Sequence, residues 1–239
     1  MTVEACARLV ERGDPDRFRA AMAAPPQARA VLFPLYAFNL EVARAPWVTR
    51  EPLLARVRFQ WWREALTEPR AHEVATPLRE AVARGVPVAP LLDVIEARER
   101  DVEGGPFADG ADLRAYLEGT AGSLLWAGAA GLGEPEALRA PTLEAGFAGG
   151  LAAFLLALPE LRARGRDPGD VDLAALSGEA LAALGRARRA PFRPGVPALR
   201  AQWWAEGVLR RASAGRPNLA PSEAAKRLSL AWKVARAAW

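Results

Sequence analysis

Residues 36–66 read YAFNLEVARAPWVTREPLLARVRFQWWREAL, and this stretch decides the fold class of the protein. Helix-forming residues dominate on both sides of Pro46, over residues 27–45 and 51–67. Because proline lacks a backbone N–H and clashes with the preceding helical turn, Pro46 predicts the end of the first helix. The stretch therefore predicts two long helices, joined by a turn over residues 46–52.

The rest of the chain continues the helical pattern. Its dominant residues include Ala, Leu, Arg and Glu, which are all good helix formers. Apart from VLF at residues 31–33, β-branched clusters are rare and no alternating strand pattern is found. We expect one all-α domain over residues 1–239, built from about nine to eleven helices. Besides the first pair, the predicted helices cover residues 3–12, a segment that Asp14 caps, and residues 72–84, 90–102, 109–130, 134–158, 178–189, 199–212 and 222–239.

Several classes of protein are disfavoured by composition. Cys6 is the single cysteine, which excludes an internal disulfide framework and a thiolate metal cluster, and we expect a free, partly buried thiol. The N-terminus has mixed charge and no apolar core of a signal peptide. Residues 145–158 are the most apolar stretch, but they are too short and too glycine-rich to span a membrane and predict a core helix. We expect a cytoplasmic protein, with peripheral contact to the inner membrane as an open alternative.

Charge is distributed unevenly along the chain. Residues 1–160 carry 17 basic and 22 acidic side chains, whereas residues 161–239 carry 15 basic and 6 acidic ones, together with four tryptophans. Arginine and tryptophan together suit an anionic surface, either a membrane leaflet or an acidic partner protein, and residues 199–239 are the predicted contact region. The alternative is an ordinary packing helix with a solvated basic face. Nucleic-acid binding fits poorly because no recognised motif and no lysine-rich arm are found.

Residues at both ends of the opening stretch, together with a later segment, resemble a known family. YAF, followed by R-x-x-W-W-R-E over residues 58–64, resembles the opening of the squalene/phytoene synthase family. Residues 90–133 follow the order of that family, with matching positions that include Asp101, Tyr116 and Gly122. The resemblance is clearest over residues 14–175. It implies an isoprenoid synthase-like helical barrel, whose active members use Mg²⁺ to join two isoprenoid diphosphates head to head.

The first metal-binding motif of that family is absent. Its D-D-x-x-D pattern would fall a few residues after YAF, where this chain has Ala43, Arg44, Ala45, Pro46 and Trp47. Magnesium is a hard cation that takes oxygen ligands, held by a few carboxylates together with substrate phosphates. Alanine offers no ligand and arginine repels the ion, so the window predicts no metal site.

The second metal-binding motif is also lost. Residues 146–166 read GFAGGLAAFLLALPELRARGR and match the family pattern without a gap. The family glutamine and asparagine become Gly150 and Ala153, the Arg-Asp pair becomes Leu156-Ala157, and the last aspartate becomes Leu161. Only Glu160 remains, and a single carboxylate is a poor Mg²⁺ site. We therefore predict no metal, no cofactor and no catalytic residue.

The form A-F-N-x-E-x-A at residues 37–43 resembles a non-catalytic branch of the family, the assembly factor of mitochondrial respiratory complex I and its bacterial relatives. The resemblance implies a scaffold for a membrane respiratory complex. Two alternatives stay open. One is a prenyl-lipid binding protein that keeps the apolar cavity without the reaction, and the other is an active prenyltransferase whose relocated ligands come from Glu41, Asp93, Glu96 or Asp101.

Five residues are the candidate binding residues. Asn39 and Glu41 lie one turn before the lost first motif and are predicted to face the old active-site cavity, or, for Glu41, a salt bridge at the surface. Arg63 follows two tryptophans and could bind an anion, although pairing with a nearby acid is the alternative. Arg164 and Arg166 precede a loop and could hold a phosphate, or form a solvated basic turn.

Overall fold

The computed structural model describes residues 2–48 and 51–239 of the chain. The fold is all-α, as predicted, and no strand occurs in the described residues. Thr49 and Arg50, in the middle of the predicted turn, lie outside the described residues. The α-helices are α1 Val3–Gly13, α2 Pro15–Met22, α3 Pro26–Arg44, α4 Pro52–Thr67, α5 Ala75–Ala83, α6 Ala89–Glu103, α7 Gly110–Leu117, α8 Ser123–Gly131, α9 Arg139–Ala163, α10 Leu173–Ala187, α11 Val196–Leu199, α12 Ala205–Ser213 and α13 Glu223–Ala235.

The helix count agrees with the prediction once short segments are grouped. A π-helical turn, Glu118–Gly122, joins α7 to α8 in one continuous helix, and α11 is a single turn. Eleven helices of two turns or more therefore remain in the described part of the chain. The predicted effect of Pro46 is confirmed, because α3 ends at Arg44 and a 3-10 turn, Ala45–Trp47, follows.

Several helix boundaries differ from the prediction. The segment predicted as one helix over residues 199–212 contains a 3-10 turn, Arg200–Gln202, before α12, and α13 ends at Ala235 rather than at residue 239. Helix α10 begins at Leu173 rather than at residue 178, because the Asp172 side chain accepts hydrogen bonds from the amides of Ala174 and Ala175 at 3.1 and 2.9 Å. An aspartate that caps the first amides of a helix fixes where the helix begins, and here that point lies before Gly178. Helix α9 continues through Pro159 to Ala163, so this proline is accommodated inside the helix.

The core surrounds α3, whose buried side chains include Leu32, Leu35 and Phe38. Phe38 meets the ring of Trp62 edge-on at a centroid distance of 5.3 Å. Trp62 is buried and belongs to this core, whereas Trp61 is half-buried and contacts Trp62. A second apolar cluster joins α7, α9, α10 and α12. The cavity that concerns function lies between these two clusters of helices.

Helix α9 contains the apolar stretch that was predicted as a core helix. One stretch of the described residues, Glu136–Ala163, is long and apolar enough to cross a membrane, but 61% of its apolar window is buried in the fold. Its glycines allow close packing, since Gly146 touches the backbone of Gly122 in the π-helical turn. This helix therefore lines the centre of the protein.

Cys6 is a free thiol, as predicted, and it is fully buried rather than partly buried. Its Sγ lies 3.7 Å from the carbonyl oxygen of Glu73. Burial, with a smaller effect from the Glu73 carboxylate, raises the pKa of the Cys6 thiol to about 12. A thiol in this environment is a packing group, because nucleophilic cysteines need an accessible thiolate.

Candidate functional site

A cavity of about 290 Å³ lies between α3, α6, α7 and α9. The loop after α9 closes one side of it through Arg166, Asp167 and Pro168. Apolar side chains form most of the wall, and Phe107 and Phe154 meet edge-on there at 6.1 Å. The enclosure is wide enough for a small apolar molecule or part of a lipid chain.

The positions of both lost motifs face this cavity. Ala43 on α3 lines one wall, and Gly150, Ala153, Ala157 and Leu161 on α9 line another. Spacings of three and four residues place these α9 positions on one face of the helix. The family ligand positions therefore point into the cavity, where this chain presents hydrogen, methyl and isobutyl groups.

Asp101 is one of two carboxylates on the cavity wall, and a buried network holds it. Arg98 Nη1 donates to Asp101 Oδ2 at 3.0 Å and to the Tyr116 hydroxyl at 2.6 Å. The Tyr116 hydroxyl in turn donates to Asp101 Oδ2 at 3.0 Å. Burial alone would lower the pKa of Arg98, but Tyr116 and Asp101 outweigh it and raise that pKa. Asp101 is thus already neutralised by an arginine.

Asp167, the second carboxylate of the wall, is exposed and caps its own loop. Its Oδ1 accepts from the amide of Gly169 at 2.9 Å, and Oδ2 lies 3.6 Å from Arg162 Nε. Glu160, which survives from the second motif, is exposed and bonds to Arg164 at 2.7 Å. Both carboxylates are therefore engaged by an arginine of their own segment.

The donor set does not fit a magnesium cluster. Within residues 2–48 and 51–239, no group of three or more His, Cys, Asp or Glu side chains is close enough to hold a metal ion. Among the proposed relocated ligands, only Asp101 lines the cavity. Asp93 faces Arg139 at 3.9 Å, Glu96 is exposed, and Glu41 lines a different, shallow pocket. The four proposed relocated ligands therefore do not form a metal-binding cluster in the described residues.

The mouth of the cavity is cationic instead. The Arg166 guanidinium packs over Gly104, where any Cβ would overlap it, and lies 5.3 Å from the ring centroid of Trp47. Arg164 approaches the same ring at 5.2 Å. Arg100 also lines the cavity and donates to the carbonyl of Pro106 at 2.7 Å. Cations stacked on an indole can meet an anionic group without a metal.

The five candidate binding residues do not form one site. Asn39 is buried and lines the cavity together with Arg166. Arg164 lies just outside, in a groove that also includes Trp47. Arg63 lies between α4 and α6 and pairs with Glu99 at 2.8 Å, which is the alternative that the sequence left open. Glu41 shares its shallow pocket with Arg58, the two neighbouring tryptophans and His72.

A smaller pocket of about 80 Å³ adjoins the inner end of the cavity and shares Arg17, Ala121, Gly150 and Ala153 with it. Polar atoms of Tyr36, Gln202 and Trp204 on its wall are buried and have no hydrogen-bond partner among the described residues. Burial raises the pKa of Tyr36, so the phenol stays protonated and can donate.

Sequence reasoning missed this inner pocket. Gln202 and Trp204 lie far from Tyr36 along the chain, and no local pattern connects them. The one available signal is Gly149, where a Cβ would overlap the Gln202 side chain. A glycine in a buried helix that leaves room for a distant polar side chain can be recognised only once the helices are packed.

Comparison with known proteins supports the sequence-based resemblance. A profile of the family described as "Squalene/phytoene synthase" matches residues 10–238. The fold superposes on the crystal structure of a dehydrosqualene synthase in complex with ligand, with a TM-score of 0.83 over 98% of this chain and 95% of that chain. Sequence identity in that superposition is 15%, so the likeness concerns the fold.

Curated relatives share part of the sequence. The human protein "NADH dehydrogenase (ubiquinone) complex I, assembly factor 6" is 26% identical over 127 residues, which cover 51% of this chain. The protein of the same name from Rattus norvegicus is 28% identical over 127 residues. The match spans 38% of the length of these relatives.

Proposed function

The chain belongs to the squalene/phytoene synthase family, and we propose that it is a catalytically degenerate member that assists assembly of a membrane respiratory complex. One observation carries the loss of catalysis. Five positions of the two family motifs, Ala43, Gly150, Ala153, Ala157 and Leu161, face the cavity without an oxygen or nitrogen ligand in the side chain. We place the protein in the cytoplasm, peripheral on the inner membrane, with residues 1–239 acting as one domain.

The chemistry of the family reaction supports this reading. A diphosphate leaves as pyrophosphate only when its developing negative charge is neutralised, which is the role of clustered metal ions. In this cavity Asp101 is committed to Arg98 and Tyr116, and Asp167 faces solvent beside Arg162. The cavity thus lacks the paired carboxylates that hold Mg²⁺.

The relatives support the assembly role. The matched proteins from Homo sapiens and Rattus norvegicus carry complex I assembly in their names. A protein that keeps the fold but loses the metal ligands needs another reason to retain a stable barrel. Contact with subunits of a membrane complex supplies such a reason.

Purified protein is expected to release no pyrophosphate from farnesyl or geranylgeranyl diphosphate in the presence of Mg²⁺, because the described residues contain no cluster of three or more His, Cys, Asp or Glu side chains that could hold the ion. Pyrophosphate release and product extraction measure this directly. An active dehydrosqualene synthase assayed alongside is the control. Metal-dependent formation of a C30 or C40 product would contradict the proposal.

The proposed assembly role is tested by a separate measurement, the amount of assembled complex I. Deletion of the gene in the source organism is expected to lower the amount of assembled complex I on native gels, and the wild-type gene should restore it. An unchanged amount of assembled complex would refute the assembly role while leaving the loss of catalysis standing.

A second candidate function is the binding of a neutral prenyl lipid. The specific observation is that the cavity stays open at about 290 Å³ and ends in a pocket lined by Tyr36, Gln202 and Trp204. A buried polar group without a partner costs about 1–3 kcal/mol, so a hydrogen-bond acceptor at this end would be stabilised. An isoprenoid alcohol combines an apolar chain with such an acceptor.

Farnesol is expected to bind the wild-type protein in isothermal titration calorimetry, and Tyr36→Phe is expected to weaken this binding about fivefold, the effect of one net hydrogen bond. The matched control is farnesene, which has no hydroxyl group and should bind both proteins equally. No detectable binding of farnesol, or equal weakening for farnesol and farnesene, would contradict lipid binding through this pocket.

A further inference from the structure

Large apolar side chains are exposed mainly in one short region. Of the eight such side chains in the described residues, five belong to Trp47, Val48, Leu53, Leu54 and Val57. Their exposed fractions range from 37% to 70%. We call these five side chains the docking surface. Exposed apolar groups that lie close together in the chain can mark contact with a membrane or another protein.

Packing in the first half of α4 leaves these side chains outside. Ala55, Phe59 and Trp62 face the core and are buried. Leu53 and Val57 are four residues apart and therefore lie together on the opposite face of the helix. Neither Leu53 nor Val57 belongs to an apolar cluster of the fold, so both side chains are available for contact with a partner.

Positive charge accompanies the docking surface. Residues 44–58 carry four arginines and one glutamate, a net charge of +3. Arg56 and Arg58 are exposed on α4 itself, and Arg56 pairs with Glu103 at 2.8 Å. On the other side, Arg164 and Arg166 approach the ring of Trp47 at 5.2 and 5.3 Å. The apolar groups are thus flanked by guanidinium groups on two sides.

We propose that the docking surface inserts into an anionic lipid bilayer. Aliphatic side chains would enter the acyl region, Trp47 would lie at the interface, and the flanking arginines would meet lipid phosphates. Charge complementarity selects this partner, because the net positive charge of residues 44–58 matches the surface of an anionic leaflet. The inference stands independently of the assembly role, since it depends on exposure and charge alone.

The mouth of the cavity lies close to the docking surface. Trp47 and Arg166 line the cavity and also the groove beside the docking surface. A bilayer bound here would cover the approach to the cavity. An apolar molecule could then pass between bilayer and cavity without crossing water.

The C-terminal helix is the competing surface, since the sequence placed the membrane contact there. Leu228 and Trp232 on α13 are 73% and 61% exposed. Lys226 on the same helix is engaged, with Asp16 at 2.7 Å and Glu223 at 3.0 Å. Arg227 on this helix is exposed. Two exposed apolar side chains provide a weaker membrane anchor than the five of the docking surface, and they make a matched control.

The test is co-sedimentation of the purified protein with phosphatidylcholine vesicles that do or do not contain phosphatidylserine. Wild-type protein is expected to bind the anionic vesicles preferentially, and added salt should weaken the binding. The double variant Leu53→Ser with Val57→Ser should bind at least about tenfold less, because two apolar side chains are lost from the membrane contact. Both positions are exposed, so circular dichroism should show an unchanged fold.

The double variant Leu228→Ser with Trp232→Ser is the control and should keep binding within about twofold of wild type. An equal or larger loss in this control would overturn the proposal in favour of α13. Wild-type protein that binds neither vesicle would also overturn it and leave an apolar protein partner as the occupant. Neither result affects the turnover or complex I measurements, which need no vesicle binding.

Discussion

Gly146→Ala is expected to lower the free energy of unfolding by about 3 kcal/mol, the upper part of the range for overpacking a core. Chemical denaturation followed by circular dichroism measures the change. The substitution adds a single methyl group, and alanine favours helix over glycine, so helix propensity alone predicts the opposite sign. The expected loss therefore depends entirely on what the new methyl group would meet.

The new methyl group would meet backbone rather than a movable side chain. A Cβ on Gly146 would overlap the Cα of Gly122 and lie 2.9 Å from its nitrogen and 3.2 Å from the carbonyl oxygen of Ala121. Those atoms belong to the π-helical turn, where the chain is held between α7 and α8. To relieve the overlap, α9 must move away from that turn, which disturbs the wall of the cavity.

Gly185→Ala is the matched control. Gly185 lies in α10 with open space around the position of a Cβ, so the same substitution should stabilise the protein by about 0.5–1 kcal/mol through helix propensity. Opposite signs for the two variants would support the close contact of α9 with the π-helical turn. A Gly146→Ala variant as stable as wild type would show that this contact does not exist in solution.

Asp101→Ala is expected to destabilise the protein by about 3 kcal/mol, because it leaves a mostly buried guanidinium without its carboxylate. Arg98 and Asp101 are 23% and 18% exposed in their side chains, so water replaces the lost partner poorly. The Tyr116 hydroxyl would also lose its acceptor. The same denaturation measurement reports the effect.

Asp93→Ala serves as the control, since Asp93 is well exposed and faces Arg139 at 3.9 Å, where an ion pair contributes little. Its free energy of unfolding should stay within about 0.5 kcal/mol of wild type. Mg²⁺ separates the structural role of Asp101 from a metal-binding one. A rise in wild-type stability with Mg²⁺ that Asp101→Ala abolishes would identify Asp101 as a relocated ligand and refute the structural assignment.

Much of the fold could be predicted because helix boundaries obey local rules. Pro46 ends α3 at the expected place, and Asp14 caps α2 through the amide of Arg17 at 2.9 Å. Where prediction failed, a stronger local signal was overlooked, as with Asp172, or a helix interior tolerated a proline, as with Pro159. Both cases concern the ends of helices rather than their existence.

The sequence predicted which positions of the family motifs line the candidate site. A gap-free match to a family pattern on one helix places residues 150, 153, 157 and 161 on a common face, and all four line the cavity. Asn39 and Arg166 were also predicted and lie on the cavity wall. Their roles in binding stay predictions, as do those of Glu41, Arg63 and Arg164.

The distribution of charge along the chain does not show which charges are paired in the fold. The basic excess of residues 161–239 predicted a contact region at the C-terminus. In the fold Lys226 pairs with Asp16, and Arg188 pairs with Glu206, so salt bridges within the protein neutralise part of that charge. The exposed apolar groups lie mainly at residues 47–57 instead.

By itself the sequence determined an all-α chain of a known family whose metal-binding motifs keep a single carboxylate, Glu160. These properties follow from residue type and short spacing, because helix caps, proline breaks and three- or four-residue periodicity act within one or two turns. Only the tertiary structure decided that Asp101 is neutralised by Arg98 and Tyr116, and that Tyr36 meets Gln202 and Trp204. Burial and partnership arise between residues distant in the chain, and no local pattern encodes which helices will face each other.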